Sequence, residues 1–138
     1  METGAGTAVV ELRIPARPEY VGVARLAILG VASRMRFSYD EVEDIRLAVG
    51  EACTTAVEWA ARNDRQGTDL VVRSSISDTA LTVEIVDQAG QREDAPEPAG
   101  REPDPENLGA LLITLLVDEI SVSPCDGGTC VQMIKHAT

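Results

Sequence analysis

Histidine is almost missing from this sequence: His136 is the single one among 138 residues. The three cysteines, Cys53, Cys125 and Cys130, therefore have no zinc-ligand company, and no metal site is assigned to them. Cys125 and Cys130 flank Asp126-Gly127-Gly128-Thr129, a hairpin-like turn, so they could face each other across a strand pair. In a reducing compartment they are expected to be two thiols. Basic side chains are also few, 12 against 23 acidic ones, which leaves a formal charge of −11. That balance argues against direct nucleic-acid binding, which needs a basic surface to displace counterions. It suits either steering towards a basic partner or a solubilising surface. No apolar run is long enough to cross a bilayer, and METGAGTAVVELRI lacks the basic-then-apolar order of a secretory signal. The expected location is cytoplasmic, away from membranes.

What is present is enough apolar side chain, 44% of the chain, for one domain over residues 1–138 with its own core. Residues 7–14 alternate as a strand does, ended by Pro15 and Pro18. Val21, Ala24, Ile28, Val31 and Met35 recur at spacings of three and four, predicting a helix over 19–36. Ser38 or Asp40 caps a second helix that runs to about Ala61, with Glu41, Glu43 and Asp44 where the helix dipole favours acids. Leu70–Ile76 and Leu81–Asp87 form a hairpin around Ser77-Asp78-Thr79. Residues 88–106 hold four prolines and two glycines with little to bury, and read as a lid loop or a disordered spacer. A short apolar helix over Leu108–Leu116 and a closing hairpin, Glu119–Ser123 with Thr129–Lys135, complete the order β-α-α-β-β-loop-α-β-β. Adjacent strand pairs imply hairpins rather than alternating βαβ units. The expected fold is α+β: a two-layer α/β sandwich, its mixed, mostly antiparallel sheet covered on one face by helices.

Candidate chemistry lies on three elements. On the second helix, Ile45, Ala48, Val49, Ala52, Ala56 and Trp59 share a stripe, and Glu51 and Thr55 fall together along its edge at ~100° per residue. A half-sheltered carboxylate there can orient a water or a hydroxyl. The recurrence of Asp44, Glu51 and Glu58 every seven residues equally fits a solvated face. Asp87 ends an apolar strand, where it can accept a hydrogen bond from an exocyclic amine or serve as a turn residue. Thr129 opens the last strand.

These motifs resemble a known family. E-A-C-T-T-A-V-E-W-A, residues 51–60, is similar to the N box of the GHKL (histidine-kinase-like) ATPase fold, E-x-x-x-N-A-x-x-H-A. More narrowly the chain looks like the bacterial anti-sigma factors that are also serine protein kinases, across PARPEYVGVARLAIL, DIRLAVGEACTTAVEWA, VEIVD, LGALLITLLVDEI and GGTCVQMIKH. The resemblance implies ATP and Mg²⁺ as cofactors, and a sigma factor and an anti-anti-sigma factor as partners. Glu51 falls on the general base that activates a substrate serine. Asp87 falls on the adenine-reading aspartate and Thr129 on the threonine supporting it. Gly109 matches a glycine of the second glycine box, where amides at a helix start approach phosphates. Arg25 matches an arginine on the partner-facing first helix, which could also supply a homodimer surface.

The departures from the pattern bear on activity. Thr55 stands at the magnesium-ligating asparagine, and Trp59 replaces a histidine. The first glycine box reads Asp87-Gln88-Ala89-Gly90-Gln91, so Ala89 adds a methyl where the backbone meets the nucleotide. Asn107 replaces the first glycine of the second box, although Asn also tolerates positive φ. Losing a good metal ligand costs on the order of 10²-fold in rate, comparable with losing one transition-state donor. Two functions follow: an anti-sigma regulator with a degenerate ATP site, or an active serine protein kinase acting on its antagonist.

Overall fold

In the computed structural model, which describes residues 8–65, 67–88, 108–125 and 128–137, five strands form one sheet under three helices. β1 is Ala8–Pro15, α1 Val21–Ala32, α2 Tyr39–Arg62, β2 Asp69–Ile76, β3 Ala80–Asp87, α3 Leu108–Leu116, β4 Glu119–Cys125 and β5 Gly128–His136. The strand order is β1-β2-β3-β5-β4, and each of the four neighbouring pairs runs antiparallel. The expected lid, residues 88–106, lies outside the described residues beyond Gln88.

Alternation fixes which face of the sheet meets the helices. Along β3, Leu81, Val83, Ile85 and Asp87 are buried while the residues between them are half-exposed. The register puts Leu70 and Val72 of β2 and Val131 and Met133 of β5 on the same buried side. These meet Ile45, Ala48, Val49, Ala52 and Ala56 of α2 and Ala24 and Ile28 of α1 in one core. The opposite face carries a cross-strand charge row. Arg73 Nη2 lies 2.7 Å from Glu11 Oε2, and Arg73 Nη1 lies 3.6 Å from Glu84 Oε1. Being exposed, such pairs order the face more than they stabilise it.

The second helix begins as its sequence predicts. Ser38 accepts from the Glu41 amide at 3.1 Å, and the Glu41 carboxylate accepts from the Ser38 amide at 2.8 Å, a complete capping box. The first helix is shorter than its periodicity suggests. Pro18–Tyr20 forms a 3₁₀ turn before it, and the chain leaves the helix at Ser33. There Ser33 Oγ donates to the Leu29 carbonyl at 2.6 Å and Arg34 Nη1 to the Gly30 carbonyl at 3.1 Å. The Arg34 and Met35 amides take the carbonyls of Val31 and Ala32 at 3.2 and 3.1 Å, so the last turn is satisfied and the helix ends before Met35 completes the stripe.

Candidate functional site

Glu51 and Thr55 sit one turn apart on α2 and are both half-buried, while Glu58 on the next turn is exposed. The seven-residue series is therefore not a uniformly solvated face. Thr55 Oγ1 donates to the Glu51 carbonyl at 3.0 Å. That uses the hydroxyl hydrogen and leaves the oxygen able to accept or ligate. Gly109, the second residue of α3, faces the Glu51 side chain. A Cβ there would stand 2.5 Å from Glu51 Oε2, 3.1 Å from Cδ and 3.2 Å from Cγ. The start of α3 therefore rides on the Glu51 carboxylate, and only a glycine allows so close an approach.

Asp87 and Thr129 form a second pair. They are directly opposed in the β3–β5 register, and they are 0% and 3% exposed. A carboxylate removed so fully from water is costly unless hydrogen bonds hold it, which separates Asp87 from an ordinary turn aspartate. Gly128, the first residue of β5, packs on the backbone at the end of β3. A Cβ on it would run into the Asp87 carbonyl oxygen, with Asp87 C at 2.6 Å and Gln88 Cα at 3.0 Å. Asp87 and Thr129 both project from the buried face of the sheet, against which α2 also packs.

Arg25 lies on α1 and is half-buried. Its side chain crosses onto α2 over Gly50, whose added Cβ would collide with Arg25 Nε. Beside it the Cys53 thiol is buried in the core, and that burial pushes its pKa up to about 12 against the pull of the Arg25 charge. Trp59, at the histidine position of the N box, packs partly buried against the core. Ala89 and Asn107 lie outside the described residues. The sequence reading passed over Gly50 and the backbone role of Gly128. A glycine in mid-helix was the available signal for the first, since alanine is favoured there by about 1 kcal/mol. Among the described residues, no three or more His, Cys, Asp or Glu side chains group as a metal cluster. No described helix is long and apolar enough to cross a membrane.

The family described as the histidine kinase-like ATPase domain matches residues 14–135. Over 136 residues the chain is 38% identical to the serine-protein kinase RsbW of Bacillus licheniformis, an alignment covering 91% of this chain and 84% of that protein. The chain belongs to the anti-sigma factor and serine-protein kinase family with the histidine-kinase-like ATPase fold. The serine-protein kinase RsbW of Bacillus subtilis is 37% identical over 137 residues, covering 92% of this chain and 84% of that protein. Among solved structures, the RsbU and RsbW domains of Rv1364c from Mycobacterium tuberculosis superpose with a TM-score of 0.69 at 16% identity. That match covers 93% of this chain and 31% of the other, so it speaks for the shared fold. The histidine kinase domain of the Erythrobacter litoralis EL346 blue-light activated kinase gives a TM-score of 0.58 at 25% identity, covering 90% of this chain and 62% of that one.

The family implies ATP, and the residues fit it. The start of α3 at Gly109 can offer backbone amides to phosphates, and a fully buried aspartate at a strand end can accept from an exocyclic amine. The fit to Mg²⁺ is poorer, because the hydroxyl of Thr55 stands where the family pattern has an amide carbonyl.

Proposed function

We propose that this protein is a cytoplasmic partner switch: it sequesters a sigma factor and releases it in exchange for an anti-anti-sigma protein, around a weakened nucleotide site. The observation that carries this reading is the retained architecture. Glu51 is seated against Gly109, and Asp87 is buried opposite Thr129, although Thr55 and Ala89 depart from the family pattern.

When bound, Mg-ATP supplies the γ-phosphoryl group and the cation that neutralises its charge. Asp87 accepts a hydrogen bond from the exocyclic amine of the base, in a position where burial excludes water as a competitor. Thr129, opposed to it in register, supports that contact. The backbone at Gly109 offers amides at the start of α3 to the phosphates. Glu51 takes the proton of an incoming serine hydroxyl, its carboxylate lying against the adjacent helix start. Thr55 offers a single hydroxyl oxygen to the cation. Arg25 faces the protein partner, and the exposed Val23 and Leu26 of α1 offer apolar surface to it or to a second copy of the chain.

A second reading, an active serine protein kinase, is favoured by the intact Glu51. Both are tested by offering the chain the sigma factor and anti-anti-sigma protein encoded nearest its gene, with labelled ATP and Mg²⁺. The switch reading expects binding to both proteins with transfer to the antagonist slow or absent. The kinase reading expects rapid transfer that Glu51→Ala abolishes. Binding to neither protein overturns both.

A further inference from the structure

Gly50 is buried mid-way along α2, where alanine would be the better helix former. Gly22 and Gly30 of α1 have open space where a Cβ would stand, but Gly50 does not. A Cβ there would collide with Arg25 Nε and lie 3.0 Å from both Cζ and Nη2 of the same guanidinium. The space that glycine leaves in α2 is thus filled by the flat, charged end of a side chain from α1, not by backbone. Arg25 makes no hydrogen bond or ion pair among the described residues. It is a half-buried cation without a carboxylate of its own, in a chain of net charge −11.

We propose that Gly50 is a slot that seats the Nε–Nη2 edge of Arg25 against α2 and so fixes where the rest of its guanidinium meets a carboxylate of the protein partner. Guanidinium recognition of a carboxylate is planar and two-pronged, so it depends on how the fork is held as well as on the charge. A seated fork loses less freedom on binding than one that must be ordered by the partner. The surroundings suit a protein surface: Leu26 is 71% and Val23 44% exposed on α1, and Leu47, one turn before Gly50 on α2, is 44% exposed. Arginine is enriched among the residues that carry an interface's binding energy, and contacts around such a residue serve to exclude water. The identity of the partner rests on the switch reading above; the slot itself does not.

The test uses the full chain carrying Gly50→Ala. Only the far end of a flexible side chain obstructs the new methyl group, so the fold is retained and the melting temperature is unchanged or higher. The Arg25 Nε–Hε resonance, assigned by its loss in Arg25→Lys, moves as the guanidinium leaves the slot. Affinity for the sigma factor encoded nearest the gene falls about tenfold. In an Arg25→Ala background the same glycine substitution changes affinity less than about twofold, because the coupling has gone. Arg25→Lys with Gly50 intact, which keeps the charge without the fork, also loses about tenfold. An Arg25 resonance that stays in place overturns the slot, as does a Gly50→Ala effect of equal size in both backgrounds. If the unmodified chain binds neither regulatory protein, the switch reading falls, while the resonance still decides the slot.

Discussion

Gly109 and Gly128 each press against an acidic residue, and they should answer to substitution in opposite ways. At Gly109 the obstructing atoms are the far end of the Glu51 side chain, 2.5 Å from the added methyl. That end can swing aside, so Gly109→Ala should leave the melting temperature nearly unchanged while displacing the carboxylate. In the kinase reading, phosphoryl transfer to the antagonist should then fall about 10²-fold, the lower range of a general base's contribution. At Gly128 the obstruction is the backbone of Asp87 and Gln88, which cannot move without breaking the β3–β5 ladder. Gly128→Ala should therefore cost about 3 kcal/mol or more in urea denaturation, the upper range for overpacking. If the two variants lost stability equally, the assignment of side-chain and backbone obstruction would be wrong. Glu51 and Asp87 themselves could be picked out in the sequence, because a carboxylate beside an apolar stripe or ending an apolar strand is visible in one dimension. Their glycine neighbours could not, since each touches its acid only after distant elements pack.

Among the elements, α2 carries the most of the site, and its start is under local control. The reciprocal Ser38–Glu41 bonds satisfy amides that no earlier turn can reach. Ser38→Ala should cost about 1 kcal/mol, and thermal unfolding of Ser38→Ala beside Ser38→Thr, which keeps the cap, would measure it. A loss shared by both variants would show that the box contributes little. Such caps are readable because they are written within four residues. Element ends fixed by other means were harder to place. β4 runs on through Pro124 to Cys125, past the expected end at Ser123. As an edge strand it can hold a proline with no ladder bond to lose. α3 is tied down from afar: Lys135 Nζ donates to the Leu116 carbonyl at 2.9 Å and lies 3.8 Å from Asp44 Oδ2. That clamp joins the last strand to two helices, and no sequence period announces it.

At the scale of the whole molecule, hairpins between consecutive strands could be read from the chain, but the placing of β5 between β3 and β4 could not. That order depends on strands separated by α3 and the segment before it, and it is what sets Thr129 opposite Asp87. Net charge, by contrast, is fully present in the sequence and acts at long range. A surface of −11 that captures a basic protein should do so faster than shape alone permits. The screening length shrinks from about 14 Å to about 4 Å between about 50 mM and about 500 mM salt, so steering between separated surfaces is lost first. Stopped-flow association with the sigma factor should slow by roughly tenfold over that range, while dissociation changes far less. The seated contact of Arg25 would act after encounter, at shorter range and partly shielded from solvent, so Arg25→Ala should raise the dissociation rate at either salt concentration. The two effects are separable for that reason. An association rate indifferent to salt would mean that the acidic surface serves solubility alone and that capture relies on the helix face.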